Sequence, residues 1–228
     1  MDADDVARPE RLARQLAYMR AHPDCAAVGG EVLLIDPDGW PLRIQGVALG
    51  HAEIETALLR GRGEAIVHPV ALFRHAALKT VGGYRTECEP AEDLDLYLRL
   101  AHHGRLANLP ETLLEYRQHP RKVSHARGAE QREMVNAVLR EARRRRGLGE
   151  GDVAPLPPVV VANAADCHRE WTRLALEGHH LATARKHARA ALRAEPGNRR
   201  SWQLWVLAWL GLPVETVKRA LRGAGSER

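Results

Sequence analysis

Aromatic side chains are scarce in this chain: they make up 4% of its 228 residues, with a single phenylalanine. Proteins that grip single-stranded nucleic acid stack bases on aromatic rings, and no nucleic-acid motif accompanies the arginines here, so nucleic acid is not an expected partner. Cysteine is scarce too. Cys25, Cys88 and Cys167 are odd in number, far apart and without CxxC spacing, which excludes a disulfide framework and a structural zinc site. The longest apolar stretch, 204–212, is about half of what a bilayer span needs, and the chain opens on acids rather than on a basic-then-apolar leader. These absences point to the cytoplasm and leave peripheral membrane contact open.

What is present suits a soluble core, with 45% apolar and 28% charged residues. The formal charge of +5 rests largely on arginine, including the run 143–146, and favours anionic partners such as nucleotide diphosphates or lipid headgroups.

The chain is organised around 91–100, where Glu92, Asp93 and Asp95 precede an apolar helical period at Leu94, Tyr97, Leu98 and Ala101. An acidic first turn is stabilised by the helix macrodipole alone. Crowded carboxylates also repel one another, which raises the pKa of at least one and makes it a better proton acceptor. A second cluster, Asp2, Asp4 and Asp5, is either a helix cap or an oxygen-rich site for Mg2+ or Mn2+ with positions left for phosphate oxygens.

Between the clusters, Pro9 starts a helix with Leu12, Leu16 and Met19 expected to face inward. A strand over 26–35, a turn over 36–39 and a strand over 40–45 make a hairpin, with Gly29 and Gly30 marking a bulge or a close backbone approach. A helix over 51–60, an extended run over 66–73 and a short helix over 74–81 follow, and His68 is open either to substrate contact or to a turn's hydrogen bonds. A mobile loop is expected over 85–90. Two short strands, 105–109 and 112–118, flank Pro110, and a helix over 130–146 carries Met134, Val138 and Ala142 inward. A glycine- and proline-rich break over 147–158 is the domain boundary.

In order, Asp2-Ala3-Asp4-Asp5, Val81-Gly82-Gly83-Tyr84, Glu92-Asp93-Leu94-Asp95 and Tyr116-Arg117-Gln118-His119 with Ser124 resemble the ordered motifs of the family 2 glycosyltransferases with the glycosyltransferase A fold. The resemblance implies an α/β fold: a mixed sheet flanked by helices over 1–126, truncated because the nucleotide-binding half should precede Asp2. A helix and linker over 127–158 and a small all-α tail over 159–228 follow. In the tail, Ala184, Ala188, Ala191 and Pro196 match small-residue and proline positions of a tetratricopeptide repeat, and a plain helical hairpin fits as well.

The resemblance also implies roles. Asp93 is the general base, with Glu92 and Asp95 supporting it and Gly82 and Gly83 bordering the acceptor. Asp4 and His119 hold the cation, and Asp2, Asp5 and Arg117 bind the donor. The expected partners are a nucleotide-sugar donor and a glycan, lipid-linked or protein acceptor, with the tail offering a protein-binding surface. Two other classes fit parts of the chain. Asp2-Ala3-Asp4-Asp5 also suits the Asp-X-Asp signature of phosphatases that form an aspartyl-phosphate, although the lysine and Gly-Asp pair of that chemistry are not evident. The other is a non-catalytic helical scaffold derived from a glycosyltransferase.

Overall fold

The computed structural model describes residues 1–120, 128–149 and 163–212; Ser124 and most of the linker expected over 147–158 lie outside them. The chain divides into two compact units that interleave in sequence: Met1–Val32, Gln45–Tyr116 and Ala126–Val159 form the first, and Leu33–Ile44, Arg117–His125 and Val160–Arg228 the second. The architecture is a mixed sheet flanked by helices, followed by a distinct all-α tail.

The strands are β1 (Val6–Ala7), β2 (Cys25–Ile35), β3 (Pro41–Gln45), β4 (Leu72–Phe73) and β5 (Arg105–Arg117). They form one sheet in the order β1-β5-β2-β3, with β4 antiparallel on β2. The hairpin expected at 36–39 is there. Gly29 and Gly30 mark a close approach: a Cβ on Gly29 would meet Asn108 Oδ1 at 2.2 Å, and one on Gly30 would meet Leu113 at 2.6 Å, so β5 sits where any side chain would collide. β5 runs unbroken through Pro110 instead of splitting in two. β1 pairs only as far as Leu114 and Glu115, so the missing Pro110 amide falls beyond that ladder.

Helices α1 (Arg11–Ala21), α2 (His51–Leu58), α3 (His75–Thr80), α4 (Glu92–His103) and α5 (Gly128–Arg145) complete the first unit. α4 is its apolar centre: Leu94, Leu96, Tyr97, Leu98 and Leu100 are buried with Ile54 and Leu58 of α2 and Val138 and Leu139 of α5. Each large apolar side chain removed from water there is worth about 1.5–3 kcal/mol. α1 departs from expectation. Met19 is buried as expected, but Leu12 and Leu16 are 63% and 44% exposed, and Arg11 and Gln15 are buried in their place. The reason is polar satisfaction: Arg11 donates to Pro69 O at 2.9 Å and Gln15 to Val28 O and Val70 O at 3.0 and 2.8 Å, capping backbone carbonyls that apolar side chains would leave unpaired. The run 66–73 contains a 3₁₀ turn at His68–Val70 around Pro69, with strand only at β4.

The second unit contains α6 (Ala164–Glu177), α7 (Leu181–Ala194) and α8 (Arg199–Leu210). Asn163 and Asn198 cap α6 and α8 by accepting from amides of their first turns. Ala184, Ala188 and Ala191 are fully buried, and small residues on that face let α7 pack closely on its neighbours. Gly178, after α6, lies against β3, where a Cβ would stand 2.2 Å from Leu42 O. Among the described residues no helix is long and apolar enough to cross a membrane.

Candidate functional site

The antiparallel pairing of Val6 with Glu115 and Ala7 with Leu114 carries the acids before β1 to the end of β5. Arg8 strengthens this attachment, its amide donating to Leu113 O at 3.0 Å and its side chain pairing with Glu115 at 3.2 Å. The acidic turn closes on itself, with the Asp2 amide donating to Asp5 Oδ2 at 3.2 Å. Tyr116 is the next residue along β5. Burial, together with the charges of Asp5, Asp2, Asp4 and Asp93, pushes its phenol up to about 12. Acids some ninety positions apart in the chain thus act on one ring.

Asp93 sits in the first turn of α4, where the positive end of the helix macrodipole favours negative charge. Its Oδ1 accepts from the Leu94 amide at 2.7 Å, and a Cβ on Gly63 would lie 3.9 Å from its Oδ2, so backbone passes close by. Glu92 Oε2 is buried and, among the described residues, has no hydrogen-bond partner. Burial and the charges of Asp93 and Glu92 raise the Tyr84 phenol; burial and Asp93 raise that of Tyr97 as well. His68 joins these two tyrosines, with Nδ1 3.0 Å from the Tyr97 hydroxyl and Nε2 3.3 Å from that of Tyr84. A tyrosine pair bridged by one imidazole beside Asp93 had no sequence signal beyond His68 itself. Gly82 and Gly83 adopt left-handed φ values of 77° and 73° and border open space.

Asp95 faces elsewhere. It is buried and ion-paired to Arg85 and Arg99, and Arg85 continues to Glu141 of α5 at 3.1 Å. Burial alone would raise Asp95, but hydrogen bonds from the two arginines outweigh it and hold the carboxyl below its ordinary value. Cations, not neighbouring acids, therefore set its proton affinity. Arg85 also ties the 85–90 segment, expected to be a mobile loop, to α4 and α5, and that segment contains a 3₁₀ turn at Thr86–Cys88. Arg117 and His119 follow Tyr116 in sequence and belong to the second unit, where Arg117 Nη1 donates to Asp36 O and Pro37 O at 3.1 and 2.9 Å.

Among the described residues, no three His, Cys, Asp or Glu side chains form a ready metal cage. Mg2+ does not need one, because it is held by one or two carboxylates together with substrate phosphates. The oxygen-only donors at Asp2, Asp4 and Asp5, the negative field at Tyr116 and the unpartnered oxygen of Glu92 fit a hard cation of that kind.

A family model described as glycosyltransferase like family 2 matches residues 1–143. The chain is 31% identical over 130 residues to the amylovoran biosynthesis glycosyltransferase AmsE of Erwinia amylovora, covering 56% of this chain and 47% of that protein. It is 33% identical over 122 residues to the O-antigen biosynthesis glycosyltransferase WbnJ of Escherichia coli, covering 52% and 46%. The chain spans about half the length of the curated relatives it matches.

Proposed function

Because the chain belongs to the glycosyltransferase-like family 2, we propose that it serves the metal-dependent transfer of a sugar, with inversion, from a nucleotide-diphosphate donor to an acceptor hydroxyl. The names of the two relatives support glycan or polysaccharide assembly as the setting, with a glycan, lipid-linked or protein acceptor. The observation that carries the reading is the field at Tyr116, which the opening acids and Asp93 share.

In this reading Asp93 takes the proton from the acceptor oxygen as that oxygen attacks the anomeric carbon opposite the leaving group. The Leu94 amide, donating to its Oδ1 at 2.7 Å in the first turn of α4, fixes its direction. Glu92 orients the acceptor through its free oxygen, and the open surface at Gly82 and Gly83 admits it. Asp2 and Asp5 face the donor and Asp4 holds the cation; the family resemblance adds His119 as its nitrogen ligand and Arg117 as a donor contact. When bound, Mg2+ or Mn2+ supplies Lewis-acid stabilisation of the charge on the departing diphosphate. Asp95 holds α4 in place through Arg85 and Arg99. The buried alanines of α7 support a tetratricopeptide-like tail.

The test is Asp93→Asn in the full-length protein. Donor binding persists while transfer falls by about a hundred- to ten-thousand-fold, the usual worth of a positioned base. Unchanged turnover removes Asp93 from the mechanism.

A further inference from the structure

The second unit contains a buried polar cluster that the transfer chemistry leaves unused. Asp36, at the turn between β2 and β3, is fully buried, and its two carboxylate oxygens have separate tasks. Oδ1 accepts from the amides of Asp38 and Trp40 at 2.9 and 2.8 Å and so shapes the turn. Oδ2 accepts from Lys186 Nζ and from His187 Nε2, the latter at 3.0 Å, both on α7. The carbonyl oxygens of the same turn, at Asp36 and Pro37, anchor Arg117, and the Gln118 amide donates to Ile35 O at 2.9 Å. One carboxylate therefore stands between α7 and the segment that carries Arg117 and His119.

The geometry also fixes the protonation state. His187 carries its proton on Nε2 in order to donate to Asp36, so its Nδ1 is an acceptor. His168 Nδ1 of α6, 3.0 Å away, is then the donor. A second proton on His187 would set two N–H groups against each other. Lys186 instead supplies the charge that compensates Asp36, with a further contact to Asp38 at 2.7 Å. The rings of Trp40, 5.1 Å from Lys186, and Trp171, 5.0 Å from His187, pack around the cluster.

We propose that Lys186 and His187 are positioning residues: acting through Asp36, they fix the turn that anchors Arg117 and so set the place of residues 117–119. Loss of either donor leaves a buried carboxylate short of a partner, a state relieved by protonation or by movement of the turn. Movement takes the two carbonyls away from Arg117. The consequence for activity rests on the functional reading above; the positioning does not.

Residue-resolved amide exchange on the full chain, corrected for intrinsic rates, tests this. His187→Phe and Lys186→Met lower protection at Gln118 about tenfold. Asp95, whose amide donates to Ala91 O in α4, keeps its protection. His187→Gln and Lys186→Arg retain a donor for Asp36 and restore Gln118. In the unmodified chain, protection at Gln118 falls as the pH drops from 6.5 to 4, because burial lowers His187 from 6.5 to about 4 among Asp36, His168 and Lys186. His187→Gln flattens that profile. Protection at Gln118 that ignores both variants and pH, or a loss shared equally by Asp95 and Gln118, overturns the proposal. Should His187→Phe not fold, the pH series on the unmodified chain decides alone. In a transfer assay the same variants raise KM for the nucleotide-sugar donor more than they lower kcat. The transfer assay uses the full-length protein, because these 228 residues, which span about half the length of their relatives, are expected to be weakly active or inactive alone. Absence of transfer by the full-length protein refutes the functional reading and leaves the outcome of amide exchange standing.

Discussion

Asp95 in the first unit and Asp36 in the second are buried carboxylates, each met by basic side chains: Arg85 and Arg99 on one, Lys186 and His187 on the other. Burial pushes both upward, and the hydrogen-bonded cations more than offset it, so both are held below the ordinary carboxylate value. Around Tyr116 the balance is different. Burial pushes the phenol up, and the charges of Asp5, Asp2, Asp4 and Asp93 add to it, to about 12. A carboxylate whose charge is cancelled in place serves the fold. The opening acids and Asp93 instead act together on the Tyr116 phenol.

Three measurements press on this contrast, and the largest effect belongs to Asp95. Asp95→Ala strands two buried or half-buried arginines and costs about 3–5 kcal/mol of stability, read from the urea midpoint of the first unit. The companion Asp93→Asn changes that midpoint little. Equal losses in the two variants would erase the distinction between them.

Acidification comes next. His187 binds its proton at about 4 in the folded protein against 6.5 when unfolded, so the unfolded chain takes up the proton first. Stability is then complete above 6.5 and declines down to 4, by about 3 kcal/mol, at 1.36 kcal/mol per unit of pKa shift. Asp36 acts lower. Its folded value is depressed, so its contribution is present above its unfolded value of 3.8 and is lost as pH falls through the folded one. Denaturant melts followed at the tail amides from pH 7 to 4 would show the first decline, and a flat series would mean that the His187 environment is misjudged. The smallest effect is spectroscopic: the Tyr116 phenol, followed by NMR, titrates near 12, and Asp5→Asn or Asp93→Asn each lowers it. Insensitivity to Asp93 would separate the two acidic clusters.

Much of this could be read from residue order. The period Leu94, Tyr97, Leu98, Ala101 specifies which face of α4 is buried because that face repeats with the helical turn, and the Asp-Pro-Asp-Gly turn specifies the hairpin. The inward face of α1 could not be read so. Its buried members include Arg11 and Gln15, and their value lies in carbonyls more than ten residues away, at Val28, Pro69 and Val70. Three acids in four positions of α4 look alike in sequence, yet Asp95 ends in an ion-pair network with Arg85 and Glu141 while Asp93, among the described residues, does not. Nor could near-neighbour patterns show that 33–44 group with the tail in one compact unit.

Sequence alone determined the alternation of strands and helices, the acidic motifs and their order, because propensity, periodicity and turn chemistry act between near neighbours. Tertiary structure alone decided that Asp95 and Asp36 are met by cations, because that depends on arginines, a lysine and amides that the chain delivers from other elements.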